Sequence, residues 1–170
     1  MSFQLPFQAF FRMKSNLIAS ALFMSISFFS CNEKGVIFEE HQELSANIQW
    51  DKSDKKTFVI PVNDNSKPYQ FTLSFRYATG FQFQNMKMRI TEKDPDGSTM
   101  IRDLDFRVRD EEGKFMGDAG YDIIDLDYVL EQEKKFPILG NYTYTIEHTM
   151  PTDPVHYAME VGLVVRGINP

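Results

Sequence analysis

Four aspartates crowd one stretch of this 170-residue chain: Asp118, Asp122, Asp125 and Asp127. Carboxylate oxygens at short spacing are the ligands a calcium ion takes. An EF-hand loop sets its acidic positions at fixed offsets around a glycine, and this stretch does not. Ile123, Ile124 and Leu126 also interrupt it with apolar anchors. The favoured reading is therefore a solvated loop over residues 117–127, with a calcium site as the alternative. Asp103 and Asp105 stand two apart and share a strand face, which imitates the carboxylate pair of a glycosidase. Among 24 acidic residues such a pair arises by chance. His41, His148 and His156 do not have a metal-ligand spacing. His148 falls on the apolar phase of an alternating segment, where a buried, hydrogen-bonded imidazole is expected. The chain carries no Gly-x-Ser-x-Gly elbow and no glycine-rich loop between a strand and a helix. No catalytic residue, metal or cofactor is assigned, and the expectation is a non-enzymatic protein.

The one position with a definite covalent chemistry is Cys31, the single cysteine. Arg12 and Lys14 are the only charges in the first 30 residues, and Leu17 to Phe29 is an uncharged, largely apolar run. A basic start followed by a short apolar core is a secretory signal. The run is shorter than the roughly 20 apolar residues that span a bilayer. It ends in Phe28-Phe29-Ser30-Cys31, a small residue directly before a cysteine, which resembles a bacterial lipobox. Residues 1–30 then read as a lipoprotein leader, with the better start at Met13, and residues 31–35 as a lipidated tether. A lone cysteine excludes an internal disulfide framework. Each acyl methylene that enters the membrane contributes about 0.8 kcal/mol, so several chains on Cys31 hold the protein without help from its body.

Composition agrees with that division. Setting Arg12 and Lys14 aside leaves 16 basic against 24 acidic residues, a net charge of −8 for the mature chain. Nucleic acid requires clustered positive charge, and anionic lipid requires a basic patch. Both are excluded as partners of the body, and the membrane is reached through the lipid alone.

The elements that would position any site are strands. Tyr69, Phe71, Leu73, Phe75 and Tyr77 alternate with polar residues, the period of a half-buried antiparallel strand. Shorter alternations run through Phe58, Ile60 and Val62, through Phe81 and Phe83, and through Met86, Met88 and Ile90. Others follow at Leu104, Phe106 and Val108, at Tyr142, Tyr144 and Ile146, and from Tyr157 to Val165. Pro61 marks its strand as an edge or a bulge. Asp94-Pro95-Asp96-Gly97 and Asp110-Glu111-Glu112-Gly113 are turns. Tyr128 to Phe136 suits either a short helix or an outer strand. Residues 36–170 are expected to form one all-β domain. Its form is an antiparallel β-sandwich, jelly-roll or immunoglobulin-like, of seven or eight strands. Trp50, the only tryptophan, reads as a core or rim anchor. Trp50, Tyr69, Phe81 and Phe83 are also the candidates for an aromatic face toward a glycan, a peptide or a partner protein.

Several stretches taken together resemble a known family. Val36-Ile37-Phe38-Glu39-Glu40 follows the leader, and Lys67-Pro68-Tyr69 leads into Phe71 to Arg76. Phe83-Gln84-Asn85, Pro95-Asp96-Gly97 and the segment from Gly117 to Asp122 come next. Phe136-Pro137 with Gly140 and Tyr142, then Ile146-Glu147-His148 with Met150, and finally Val161-Gly162-Leu163 complete the order. Order and spacing together resemble the gliding motility lipoprotein GldH family of Bacteroidota. The resemblance implies an envelope lipoprotein of the outer membrane, needed for gliding and associated with the machinery that moves and secretes adhesins. It implies other envelope proteins as partners, and it brings no catalytic residues. The alternative is a glycan- or peptide-binding envelope lipoprotein.

Overall fold

The computed structural model describes residues 35–168. The leader, Cys31 and the tether up to Lys34 lie outside them. The strands in chain order are β1 (Val36–Glu43), β2 (Gln49–Trp50), β3 (Lys56–Val62), β4 (Tyr69–Ala78), β5 (Asn85–Lys93) and β6 (Thr99–Arg107). They continue with β7 (Asp118–Ala119), β8 (Ile123–Lys134), β9 (Gly140–His148), β10 (Val155–His156) and β11 (Ala158–Gly167). Two layers form. One is a five-stranded sheet in the order β1-β11-β4-β8-β7, the other a four-stranded sheet in the order β3-β9-β5-β6. β2 and β10 make a separate two-stranded ribbon. Every pairing is antiparallel. The expected all-β sandwich is present. Eleven strands replace seven or eight because three are two-residue pieces too short to carry a hydrophobic period. No helix among the described residues is long and apolar enough to cross a membrane.

The core lies between the sheets and follows from alternation. Tyr69, Phe71, Leu73, Phe75 and Tyr77 of β4 all point inward and are buried. They meet Phe58, Ile60 and Val62 of β3, Met86, Met88 and Ile90 of β5, and Tyr142, Tyr144 and Ile146 of β9. Aromatic rings fill much of the gap. Phe71 and Tyr144 face each other from opposite sheets at 4.8 Å between centroids, and Phe136 and Tyr142 pack at 4.7 Å. Tilted pairs of this kind add about 0.5–1.5 kcal/mol to area burial. Tyr77 reaches the carbonyl oxygens of Val108 and Met116, each at 2.8 Å. Burial pushes its phenol up to about 12.

Polar links pin both sides of the sandwich. On one side Gln42 Nε2 donates to the Thr57 carbonyl at 2.9 Å, joining β1 to β3. On the other, Lys134 Nζ donates to Glu92 Oε2 at 2.8 Å and Arg102 Nη2 to Glu131 Oε1 at 2.6 Å, joining β8 to β5 and β6. Burial opposes ionisation of Glu131. The Arg102 hydrogen bond and the Lys134 charge outweigh it and hold the carboxyl below its ordinary range. Burial also drives the Tyr144 phenol upward, and the Glu92 charge adds to the effect.

The structure departs from the sequence reading in three places. Residues 117–127 are not one loop. β7 falls within them, and β8 begins at Ile123, with Ile124 and Leu126 buried and Asp125 and Asp127 turned outward. Tyr128 to Lys134 continues that strand, the second of the two alternatives the sequence left open there. Phe81 and Phe83 precede β5 instead of belonging to a strand, and Tyr157 stands exposed at φ 65° before β11 instead of opening it. Pro61 meets expectation, since β3 is an edge of the four-stranded sheet.

Candidate functional site

The outward phase of the five-stranded sheet forms three rows across β1, β11, β4 and β8. Glu43, Glu160, Arg76 and Asp125 make the first. His41, Gly162, Ser74 and Asp127 make the second. Glu39, Val164, Thr72 and Val129 make the third. In the second and third rows the middle strands carry Gly162, Ser74, Val164 and Thr72, whereas β1 carries the longer His41 and Glu39. A trough of about 560 Å³ results, bounded by Glu39 and His41 on one wall and by Asp127 and Val129 on the other. Arg166 and Gln70 line one end of it. Three inter-strand spacings make it about 14 Å wide.

Charge is distributed unevenly along it. Arg76 donates to both oxygens of Asp125, at 2.6 and 3.2 Å, and also lies 3.5 Å from Glu160. His41 sits between two carboxylates, with Nδ1 3.4 Å from Glu160 and Nε2 3.5 Å from Glu39. Gly162 permits this. A Cβ there would strike His41 Nδ1 and approach the Glu40 carbonyl at 2.9 Å. Asp127 is exposed and has no ion-pair or hydrogen-bond partner among the described residues. Thr72 and Ser74 are each only 8% exposed, and their hydroxyls are not among the buried oxygens that lack a partner.

The residues singled out from sequence fare differently. Asp118 and Asp125 face each other across β7 and β8, and Asp125 is neutralised by Arg76. Asp122 lies in the turn before β8 and Asp127 opens onto the trough. Among the described residues no three such groups converge on a metal-sized space, so the calcium alternative has no site. Asp103 is held by Arg89 at 2.7 Å and 3.0 Å, and that hydrogen bond keeps its carboxyl below the ordinary range. Asp105 is held by Asn85 at 2.6 Å with the same effect. Both belong to strand-face ion pairs rather than a hydrolytic pair.

His148 is buried as expected, but neither ring nitrogen has a hydrogen-bond partner among the described residues. Trp50 packs edge-on against it at 5.4 Å, and Asp153 Oδ1 lies 3.8 Å from Nε2. Burial lowers the imidazole below its ordinary value, with Asp153 pulling the other way.

The aromatic face does not form. Trp50, Tyr69 and Phe81 are sealed in the core, because their strand phase or flanking turn points them between the sheets. Trp50 Nε1 donates to the Asp54 carbonyl at 2.7 Å, the bond a buried indole requires. Phe83 alone of the four is partly open, beside Pro154 and His156 in a hollow of about 90 Å³. Sequence reasoning missed the trough, although its signal was present: the polar phase of β4 (Gln70, Thr72, Ser74, Arg76) contains small hydroxyls opposite Gly162. Cys31 lies outside the described residues.

Residues 36–165 match the family model described as GldH lipoprotein. The gliding motility lipoprotein GldH of Flavobacterium johnsoniae is 28% identical over 129 residues, covering 76% of this chain and 78% of that one. The gliding motility lipoprotein GldH homolog of Christiangramia forsetii is 22% identical over 129 residues, covering 76% and 77%. The solved structure of the infectious bursal disease virus Gx strain superposes at a TM-score of 0.23 with 11% identity, over 79% of this chain and 35% of that one. Similarity so slight carries no argument. With its match running from the first strand to near the end of the last, the chain belongs to the GldH lipoprotein family.

Proposed function

We propose that this protein is a non-enzymatic assembly component of the gliding and adhesin-secretion machinery, held on the outer membrane by lipid on Cys31. The observation that carries the reading is the family match over residues 36–165, with two relatives named for gliding motility. Local features support it. The Ser30-Cys31 step supplies the acylation point. β1 starts at Val36, five residues later in the chain. The body carries net negative charge and needs the lipid to stay on an anionic surface.

The test is a Cys31→Ala variant expressed in a gliding host that lacks its own copy. The substituted protein is expected to leave the membrane fraction, and spreading of colonies and surface delivery of adhesins are expected to fail. Retention on the membrane without acylation would sink the anchoring claim. Normal spreading with a soluble protein would sink the assembly claim. Three of the four rings a glycan-binding alternative would use, Trp50, Tyr69 and Phe81, are inside the core, which weighs against it.

A further inference from the structure

We propose that the end of the sandwich at which the chain enters β1 touches the lipid bilayer, with the turn Pro137-Ile138-Leu139 inserted at the boundary of headgroups and acyl chains. This rests on the lipid-anchor reading of Cys31 and adds a contact made by the body itself. The first observation is where the chain enters. β1 begins at Val36, and the carbonyl of Gly35 accepts the Gly167 N–H at 2.7 Å. Antiparallel pairing places Val36, Gly167, Tyr69 and Lys134 at one end of the five-stranded sheet. In the four-stranded sheet Val62 pairs with Gly140 and Lys93 with Thr99 at the corresponding end. The connections that close this end are therefore residues 63–68, 94–98 and 135–139. A membrane that holds Cys31, five residues before Val36 in the chain, meets these connections before those of the opposite end.

The second observation is the turn itself. Ile138 and Leu139 are consecutive, 36% and 53% exposed, and follow an exposed Pro137. Exposed Pro95 stands beside them, so close that a Cβ on Gly140 would lie 3.0 Å from it. While the side chains face out, the main chain is satisfied from within. Pro137 has no N–H, and its carbonyl accepts from Asn65 Nδ2 at 3.2 Å. The Ile138 N–H donates to the Tyr142 hydroxyl at 3.2 Å, and that hydroxyl donates to the Ile138 carbonyl at 2.9 Å. An apolar phase offers no hydrogen-bond partners, so a segment enters it only with such groups already paired. The same bonds tie the turn to buried Tyr142 and to connection 63–68, so insertion does not have to order a loose loop.

Charge permits the contact. The negative body excludes electrostatic adhesion but leaves apolar insertion open. The charged residues of the three connections, Asp64, Lys67, Asp94, Asp96 and Lys135, nearly cancel, and Lys67 pairs with Asp64 at 3.4 Å. Lys135 is exposed next to the turn, where a lysine stem can lie along apolar surface with its ammonium among the headgroups. Two aliphatic side chains do not retain a protein on a bilayer, so the turn orients a body that the lipid on Cys31 already holds.

The experiment uses the lipidated protein reconstituted into vesicles of neutral phosphatidylcholine, a fraction of it carrying a nitroxide high on the acyl chain. Acylation leaves no free thiol, so Leu139→Cys supplies a single site for an NBD fluorophore. Tyr121→Cys supplies the comparison, since Tyr121 is 98% exposed in the turn before β8, at the opposite end. The label at position 139 is expected to be quenched at least threefold more than the label at position 121, at low and high salt alike, because the contact is apolar. Adding Ile138→Asp to the chain labelled at 139 is expected to abolish that excess while the protein still sediments with the vesicles. All three positions are exposed, and a thermal melt checks the fold of each variant.

Equal quenching at the two labels would overturn the proposal. So would an excess that Ile138→Asp leaves unchanged. If the label at 139 is not quenched while the lipidated protein sediments and Cys31→Ala does not, the turn is no membrane contact and the anchor reading stands. If Cys31→Ala sediments with its label at 139 still quenched, the anchor reading fails and the turn remains the contact.

Discussion

Two buried polar residues on the core face set sharp expectations at the scale of single side chains. Lys134 and Glu92 are both nearly enclosed and neutralise one another at 2.8 Å. Removing one partner leaves an uncompensated buried charge. Lys134→Met is therefore expected to cost about 3–5 kcal/mol, read as a lower urea midpoint. Substituting both, as Lys134→Met with Glu92→Leu, should return most of that loss, because desolvation of two ions is relieved together. His148 behaves differently. Burial holds its folded value below the ordinary 6.5. As pH falls, the unfolded chain takes up this proton first, so the site favours unfolding. Its contribution is full above 6.5 and is lost as pH drops through 6.5 toward the lower folded value. Melts from pH 8 to 5 should show this slope, and His148→Phe should flatten it.

At the level of elements, β8 separates the two readings of residues 117–134. Glycine and aspartate content argued for a loop, and the chain between Gly117 and Asp122 does turn. The period of two in Ile124, Asp125, Leu126 and Asp127 was nevertheless legible. It was masked because aspartate is depleted from strands in general. Here the aspartates point to water on a sheet face, where Arg76 pays for one of them. If β8 is a core strand, Ile124→Ala should destabilise by about 2–5 kcal/mol in urea unfolding. The neighbouring Asp127→Asn should stay within about 0.5 kcal/mol. Equal small effects at both positions would restore the loop reading. Phe81 shows the converse error. Its alternation with Phe83 suggested a strand, yet a turn from Ala78 to Phe81 aims it into the core against Phe75 and Tyr77.

At the scale of the whole molecule, charge and anchoring divide the work. A body with eight net negative charges is repelled by anionic lipid, and the Debye length grows as salt is lowered. The Cys31→Ala protein is therefore expected not to co-sediment with phosphatidylglycerol-rich vesicles, and least of all at low salt. Binding that strengthens as salt falls would reveal a basic membrane-contact face that the sequence charge does not suggest.

The order of residues alone determined the fold class, the inward phase of β4, β5 and β9, and the family. Hydrophobic period and turn chemistry are local properties, and the family match depends on order along the chain. Cys31 likewise stands out from its neighbours alone. Tertiary structure decided which strands are adjacent. That placed Gly162, Ser74 and Asp127, far apart in the chain, in one row. It also decided that Trp50 and Phe81 face inward, because one sits in a two-residue strand and the other in a turn, and neither piece is long enough to show a hydrophobic period. The candidate site is thus a product of register between β1, β11, β4 and β8, and register is set by long-range pairing that no single segment encodes.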